Sequence, residues 1–323
     1  MTTLQRLELR YWTDEVLGSL IDRMLIRKAA ANDPHAPVHQ ELMLRAALYD
    51  IWDAGVKQAA AAMHHYSIMG SLLGGPSMAE VPKIMEVLTH SLSGPAITQG
   101  IASVAKEAIA QGFQKGKDTA NYDFSQAKKR RVRKSDLMFG AVFGLTEQHA
   151  LEALQQQLMI AAGSFWDDQL QTSIKNEVEG FFSGQITRDE LSQKLMDMVN
   201  TRLVASDAGT LARSYFDNLS VHIVNSSRNI GSTYQLKSLG VSQYTLYNPR
   251  DKRTSPICQA VTNGQVFEMI HAEATVTAKL QARTTEDLKQ SVPFLTPETA
   301  GEAKGPVPPL HWPQCRTKMH GVF

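Results

Sequence analysis

Cysteine is nearly missing: two thiols in 323 residues cannot make a disulfide scaffold. An excess of one charge is missing too. Lys and Arg total 33 against 32 acids, a net charge of +1. That balance argues against a generic DNA-coating protein, because non-specific affinity grows with the number of phosphates neutralised. Long apolar runs are also lacking. The longest uncharged stretches, around Gly74-Gly75-Pro76 and from Val87 to Ala105, carry Ser, Thr, His and Gln with an internal proline. Neither reads as a bilayer span, so no membrane association is expected. The opening MTTLQRLELR has no apolar signal core, which points to a protein made in a reducing cytoplasm. A Walker loop, HExxH and GxSxG are all absent, so no enzyme is expected from motifs.

What is present suffices for a core. The chain is 43% hydrophobic, and its length suits two domains or one helical body with an appended module. After Trp12, the spacing of Val16, Leu17, Leu20, Ile21, Met24 and Leu25 gives one apolar helix face. Leu44, Leu48, Ile51 and Trp52 mark a second helix, expected to end at Gly74-Gly75-Pro76. A third starts at Pro95, since proline is tolerated in a first turn, and carries Ile97, Ile101, Val104 and Ile109. Gln114 to Lys134 is polar, then basic. Helical spacing resumes with Leu145, Leu151, Leu154, Leu158 and Phe165 and runs towards Val178. Thr187 and Glu190 form a capping box, flanked by Ile186 and Leu191 as a hydrophobic staple, with Leu195, Met198 and Val199 continuing the face.

The texture changes near Gly240. Tyr244-Thr245-Leu246-Tyr247 is β-prone and stopped by Asn248-Pro249. Asn263-Gly264, set between Val261 and Val266-Phe267, predicts a β-hairpin. Six of the 13 prolines lie between Pro293 and Pro313, which predicts an extended, loop-like tail. The fold class expected is a mainly α N-terminal and central region with a small α+β C-terminal module.

Both cysteines, Cys258 and Cys315, fall in that module beside Asp251, His311 and His320. His311 and Cys315 are close enough in sequence to reach one point from a loop. Zinc takes about four N, S or O ligands in a tetrahedron, and Asp251, Cys258, His311 and Cys315 would supply them. A Pro-rich module with little core of its own gains from such a clasp. No CxxC pair is present, and two other readings stay open: unrelated buried thiols, or a Cys258–Cys315 disulfide.

Lys128, Lys129, Arg130, Arg131, Arg133 and Lys134 put six positive charges into seven residues. Such a run can contact nucleic-acid phosphates or an acidic protein surface, or end a helix in solvent. Only Tyr122 and Phe124 stand near it, so no base-stacking platform is indicated. His64-His65 is a poor metal pair because adjacent residues diverge around a helix. Asp167-Asp168 and Glu177/Glu179 read as solvated helix faces.

Taken together, Asp251-x-Arg253-Thr254-x-x-x-Cys258, then Gly264-x-x-Phe267, then Pro308-Pro309-x-His311-x-x-x-Cys315-Arg316 resemble the C-terminal module of the phage Mu protein F-like head morphogenesis family. The resemblance covers about residues 185–320. In that family the closing His and Cys commonly stand one residue closer and are followed by Arg-Cys. Here Arg316 precedes Thr317, and His320 is the candidate to replace that cysteine.

The resemblance implies a non-enzymatic minor capsid protein of a tailed bacteriophage, located in the virion at the portal vertex or capsid interior after synthesis in the host cytoplasm. Its implied partners are the portal protein, the major capsid protein and, through the basic run, packaged DNA, with several copies at one vertex. Residues 1–120 would be a helical docking region, 121–184 a basic segment and helical connector, and 185–323 the module. Two alternatives carry different expectations. A zinc-dependent enzyme acting at DNA entry would use Asp251 as base, with Glu268 or His271 nearby. A DNA-binding accessory factor would rely on the basic run and lose affinity steeply with salt.

Overall fold

The computed structural model describes residues 37–72, 81–93, 95–128, 143–165, 171–183, 185, 187, 190, 207–248, 254–261, 264–284, 287, 302–311, 315 and 317–323. It is mostly helical, with one small antiparallel sheet near the C-terminus. The helix expected after Trp12 and the apolar face from Leu191 to Val199 lie outside the described residues, as do Asp167 and Asp168.

Helix α1 (Val38–Leu72) begins directly after Pro37 and turns Leu44, Leu48 and Trp52 into the core, one turn apart. Helix α2 (Val81–Ser93) packs against it. Helix α3 (Pro95–Ala127) starts on the expected proline and buries Ile101, Ala105, Ile109 and Phe113. It does not stop where the sequence turns polar at Gln114. Thr119 and Ala120 still face protein, and Gly112 and Gly116 on the same helix allow another helix to come close. Helices α4 (Leu145–Phe165) and α5 (Gln171–Phe182) follow, with Leu154, Leu158 and Val178 inward. The Thr187/Glu190 capping box is formed reciprocally. Thr187 N–H donates to Glu190 Oε2 at 2.7 Å, and Glu190 N–H to Thr187 Oγ1 at 3.3 Å.

Helix α6 (Asp207–Ser238) is the axis of the fold, and it is unusually polar for a buried helix. Its most extensive partner is α3. A Cβ added to Gly116 would lie 1.8 Å from the Arg228 carbonyl oxygen, and one on Gly231 would lie 2.2 Å from that of Phe113. Only glycine lets the two backbones approach this closely. The hydroxyls of α6 then reach the carbonyls of α3: Ser227 Oγ donates to Ile109 O at 2.5 Å and Ser232 Oγ to Gly116 O at 3.0 Å. Arg228, 3% exposed, donates to Thr119 Oγ1 at 3.3 Å. Burial of these polar groups is tolerable because they are bonded.

Helix α6 ends in a Schellman motif. Gly240, at φ 73°, donates to Lys237 O at 2.9 Å, and Val241 donates to Leu236 O at 3.0 Å. Leu236 and Val241 are both buried, which supplies the apolar contact of that motif. The chain leaves it as strand β1 (Gln243–Tyr247), with Tyr244 and Leu246 inward. Helix α7 (Pro256–Val261), strand β2 (Val266–Glu268), helix α8 (Met269–Leu280) and strand β3 (Lys318–Val322) complete the order. Strand β1 is central. It pairs antiparallel with β2, Tyr244 opposite Phe267, and with β3, Leu246 opposite Met319.

Thr262 and Asn263 lie outside the described residues, and among the described residues the two flanks of the expected Asn263-Gly264 hairpin do not pair with each other. Val261 closes α7, and the partner of β2 is β1. Local helix chemistry wins over the turn signal. Ser255 caps α7, Pro256 occupies its first position, and Gln259 N–H closes the first turn on Ser255 O at 3.0 Å. Gly264 still adopts φ 74°, but between a helix and a strand.

Candidate metal centre

Three segments build the site. The first is α7. Ser255 Oγ accepts from the Cys258 N–H at 3.3 Å, the N-cap bond, which places Cys258 at the third helical position. Asn248, at the end of β1, donates from Nδ2 to Cys258 O at 2.7 Å and ties that turn to the sheet.

The second segment is the loop through Gly305 to Leu310. Pro306, Pro308 and Pro309 have no N–H, so this stretch cannot join the sheet as an ordinary strand. Its carbonyls are taken by side chains instead. Tyr244 Oη donates to Pro306 O at 3.0 Å and Thr275 Oγ1 to Gly305 O at 2.7 Å. Lys279 Nζ donates to Val307 O and, at 3.0 Å, to Pro309 O. Lys279 is 5% exposed on the buried face of α8, in line with Met269, Ala272 and Val276. Burial pushes its pKa down to about 7, opposed by the neighbouring Cys315 thiolate form.

The third contribution comes from α6. Asn225 Nδ2 donates to Cys315 O at 3.4 Å. His222, one turn earlier on the same helix, is held neutral: burial, then the charges of Lys279 and His311, push its pKa down to about 3.

These elements bring together Cys258, His311 and Cys315, whose ligand atoms all lie within 4.8 Å of one another. The two sulfurs are 3.5 Å apart, too far for a disulfide bond of about 2 Å. Two thiolates about 2.3 Å from a tetrahedral zinc would stand roughly 3.7 Å apart, close to the separation found. Cys315 Sγ also accepts the Leu310 N–H at 3.2 Å. His311 Nε2 and Ser255 Oγ are hydrogen-bonded at 2.8 Å. Both cysteines are buried, Cys258 at 3% and Cys315 at 1% exposure. Burial, and then the adjacent Cys258 thiol, raise the Cys315 pKa well above the ordinary thiol value. The donor set of two sulfurs and one imidazole nitrogen is compatible with zinc.

Of the four residues proposed as ligands, three converge, and Asp251 lies outside the described residues. His320 does not substitute for a ligand. Its Nδ1 pairs with Asp123 Oδ2 at 2.7 Å, because β3 lies against the end of α3. Glu268 accepts from Gln243 Nε2 at 2.8 Å on the exposed side of the sheet, outside the sulfur–imidazole group. Of the basic run only Lys128 is described. It is exposed at the end of α3, and Lys129, Arg130, Arg131, Arg133 and Lys134 lie outside the described residues.

Ser255, Asn225, Asn248 and Lys279 were not expected at the site. Ser255-Pro256 is a readable helix start, and Lys279 falls on an apolar face at spacings of three and four. Asn248 is legible only as the stop after β1, and Asn225 carries no sequence signal of its own. Among the described residues, no helix is long and apolar enough to cross a membrane. Comparison with known proteins finds no matching family model, no matching curated protein and no matching solved structure.

Proposed function

We propose that this chain is a minor head protein of a tailed bacteriophage whose C-terminal module is closed by a structural zinc ion. The observation that carries the reading is convergence. Cys258 and Cys315, 57 residues apart in sequence, stand side by side with His311. All three belong to the motif on which the resemblance to the Mu protein F-like family rests.

The ion would hold α7 against the loop before β3, two segments that both contribute to the buried core through Val261, Val307 and Leu310. A fourth protein ligand would close the site as a structural clasp, whereas a catalytic ion keeps an open coordination position. Asp251 is the candidate fourth ligand. In the assembly, the portal protein or major capsid protein would be the partner of the helical part. The run from Lys128 to Lys134 would face packaged DNA or an acidic portal surface.

The test is affinity capture of the full-length chain from cells making it with its own phage. Portal or capsid protein should be recovered at near-stoichiometric levels. Recovery of neither from assembling proheads would contradict the reading.

A further inference from the structure

The ligand set describes what would touch a metal, and not what holds those ligands ready. One hydroxyl connects two of them. Ser255 Oγ lies 2.8 Å from His311 Nε2 and 3.3 Å from the backbone nitrogen of Cys258. A serine oxygen has two lone pairs and can accept both bonds at once. The backbone N–H of Cys258 can only donate, so one lone pair is committed by the helix cap.

We propose that Ser255 is the positioning residue of this centre: its oxygen also accepts the Nε2–H of His311, which makes Nδ1 the unprotonated ring nitrogen and so the one that would bind a divalent metal together with the two sulfurs. This inference rests on the metal reading of Cys258, His311 and Cys315. Imidazoles that bind metals characteristically donate their other ring N–H to a fixed acceptor, which sets both tautomer and ring angle. Here the acceptor is also the cap of the helix that presents Cys258. A single oxygen therefore aligns a ligand from α7 with a ligand from the loop, His311, 56 residues after Ser255.

Ser255→Gly separates the two jobs, because glycine is tolerated at an N-cap nearly as well as serine but offers no oxygen to His311. Two measurements on the full chain test the proposal. Long-range proton–nitrogen correlation spectra of histidine-labelled, metal-free protein report the His311 tautomer. Titration with Co²⁺, followed by displacement with Zn²⁺ against a chelator, reports affinity.

The wild type should show the Nε2–H tautomer. Ser255→Gly should bind both ions about 10–100-fold more weakly, and Ser255→Thr should restore binding. An Nδ1–H tautomer in the wild type, or undiminished affinity in Ser255→Gly, overturns the role of Ser255 while leaving the metal reading intact. A wild type that binds neither ion overturns the metal reading and, with it, this role. A loss of thermal stability in Ser255→Gly with unchanged affinity would assign Ser255 to helix capping alone and also overturn the proposal.

Discussion

Lys279 offers a test of the packing around the centre that needs no metal. Its ammonium is 5% exposed and donates to the carbonyls of Val307 and Pro309, and burial brings its pKa from 10.5 to about 7. In the unfolded chain the amine keeps its ordinary value near 10.4. Above pH 7 the unfolded state therefore binds more protons than the native state, and stability must rise with pH. Between pH 7 and 8.5 the native proton is progressively lost while the unfolded one stays bound. Integrating that difference gives a gain of about 1.6 kcal/mol.

The assay is urea denaturation of chelator-treated protein across this range, with Lys279→Met alongside. His222, held down at about 3 by burial, titrates below the window. Glu41, raised to about 7 by burial, is common to both proteins and cancels in their difference. The Cys315 thiol, raised well above its ordinary value, opposes the trend as unfolded thiols begin to ionise, by about 0.4 kcal/mol at pH 8.5, but it is present in both proteins and cancels in their difference. Subtracting the variant from the wild type should leave a rise of about 1–2 kcal/mol over the window. Identical slopes would mean that Lys279 is not buried as described.

Other outcomes follow from the same geometry. Metal binding to Cys258 and Cys315 must displace two thiol protons, since an ordinary thiol is mostly protonated at neutral pH and burial holds Cys315 further that way. Apparent affinity should then rise about 100-fold per pH unit between pH 6 and 8, and a pH-independent affinity would exclude the thiolates as ligands. Gly231→Ala places a methyl group 2.2 Å from Phe113 O. The clash should cost at least about 2 kcal/mol in denaturant titrations despite the better helix propensity of alanine. A neutral result would refute the close α3–α6 contact. His320→Ala removes a partly exposed pair with Asp123. It should shift stability by less than about 1 kcal/mol and leave Co²⁺ binding unchanged, whereas lost binding would restore His320 as a ligand.

Much of the helical half was legible because its signals are local. The spacing of Leu44, Leu48 and Trp52, the proline that opens α3 and the Thr187/Glu190 capping box all depend on residues within a turn or two of each other. The extent of α3 was not legible. Its second half is polar by composition and stays helical because Gly112 and Gly116 lie against an equally polar α6, a contact between residues more than 100 apart in sequence. The same limit explains the hairpin. Asn263-Gly264 is a genuine turn signal, but the competing Ser255-Pro256 helix start and the pairing of β2 with β1 decide its neighbours. At the centre, the choice of Cys258, His311 and Cys315 came from residue type and motif. The supporting bonds from Ser255, Asn225, Asn248 and Lys279 depend on tertiary placement.

The reading of the C-terminal module stands or falls on whether Cys258, His311 and Cys315 form one metal clasp. Elemental analysis of the purified full-length protein beside Cys258→Ser tests it most directly. About one zinc ion per chain is expected in the wild type, with loss of the ion and a lower melting temperature in the variant. Wild-type protein that takes up no metal even when refolded with zinc under reducing conditions would contradict it, and would leave the three side chains with packing and hydrogen-bonding roles only.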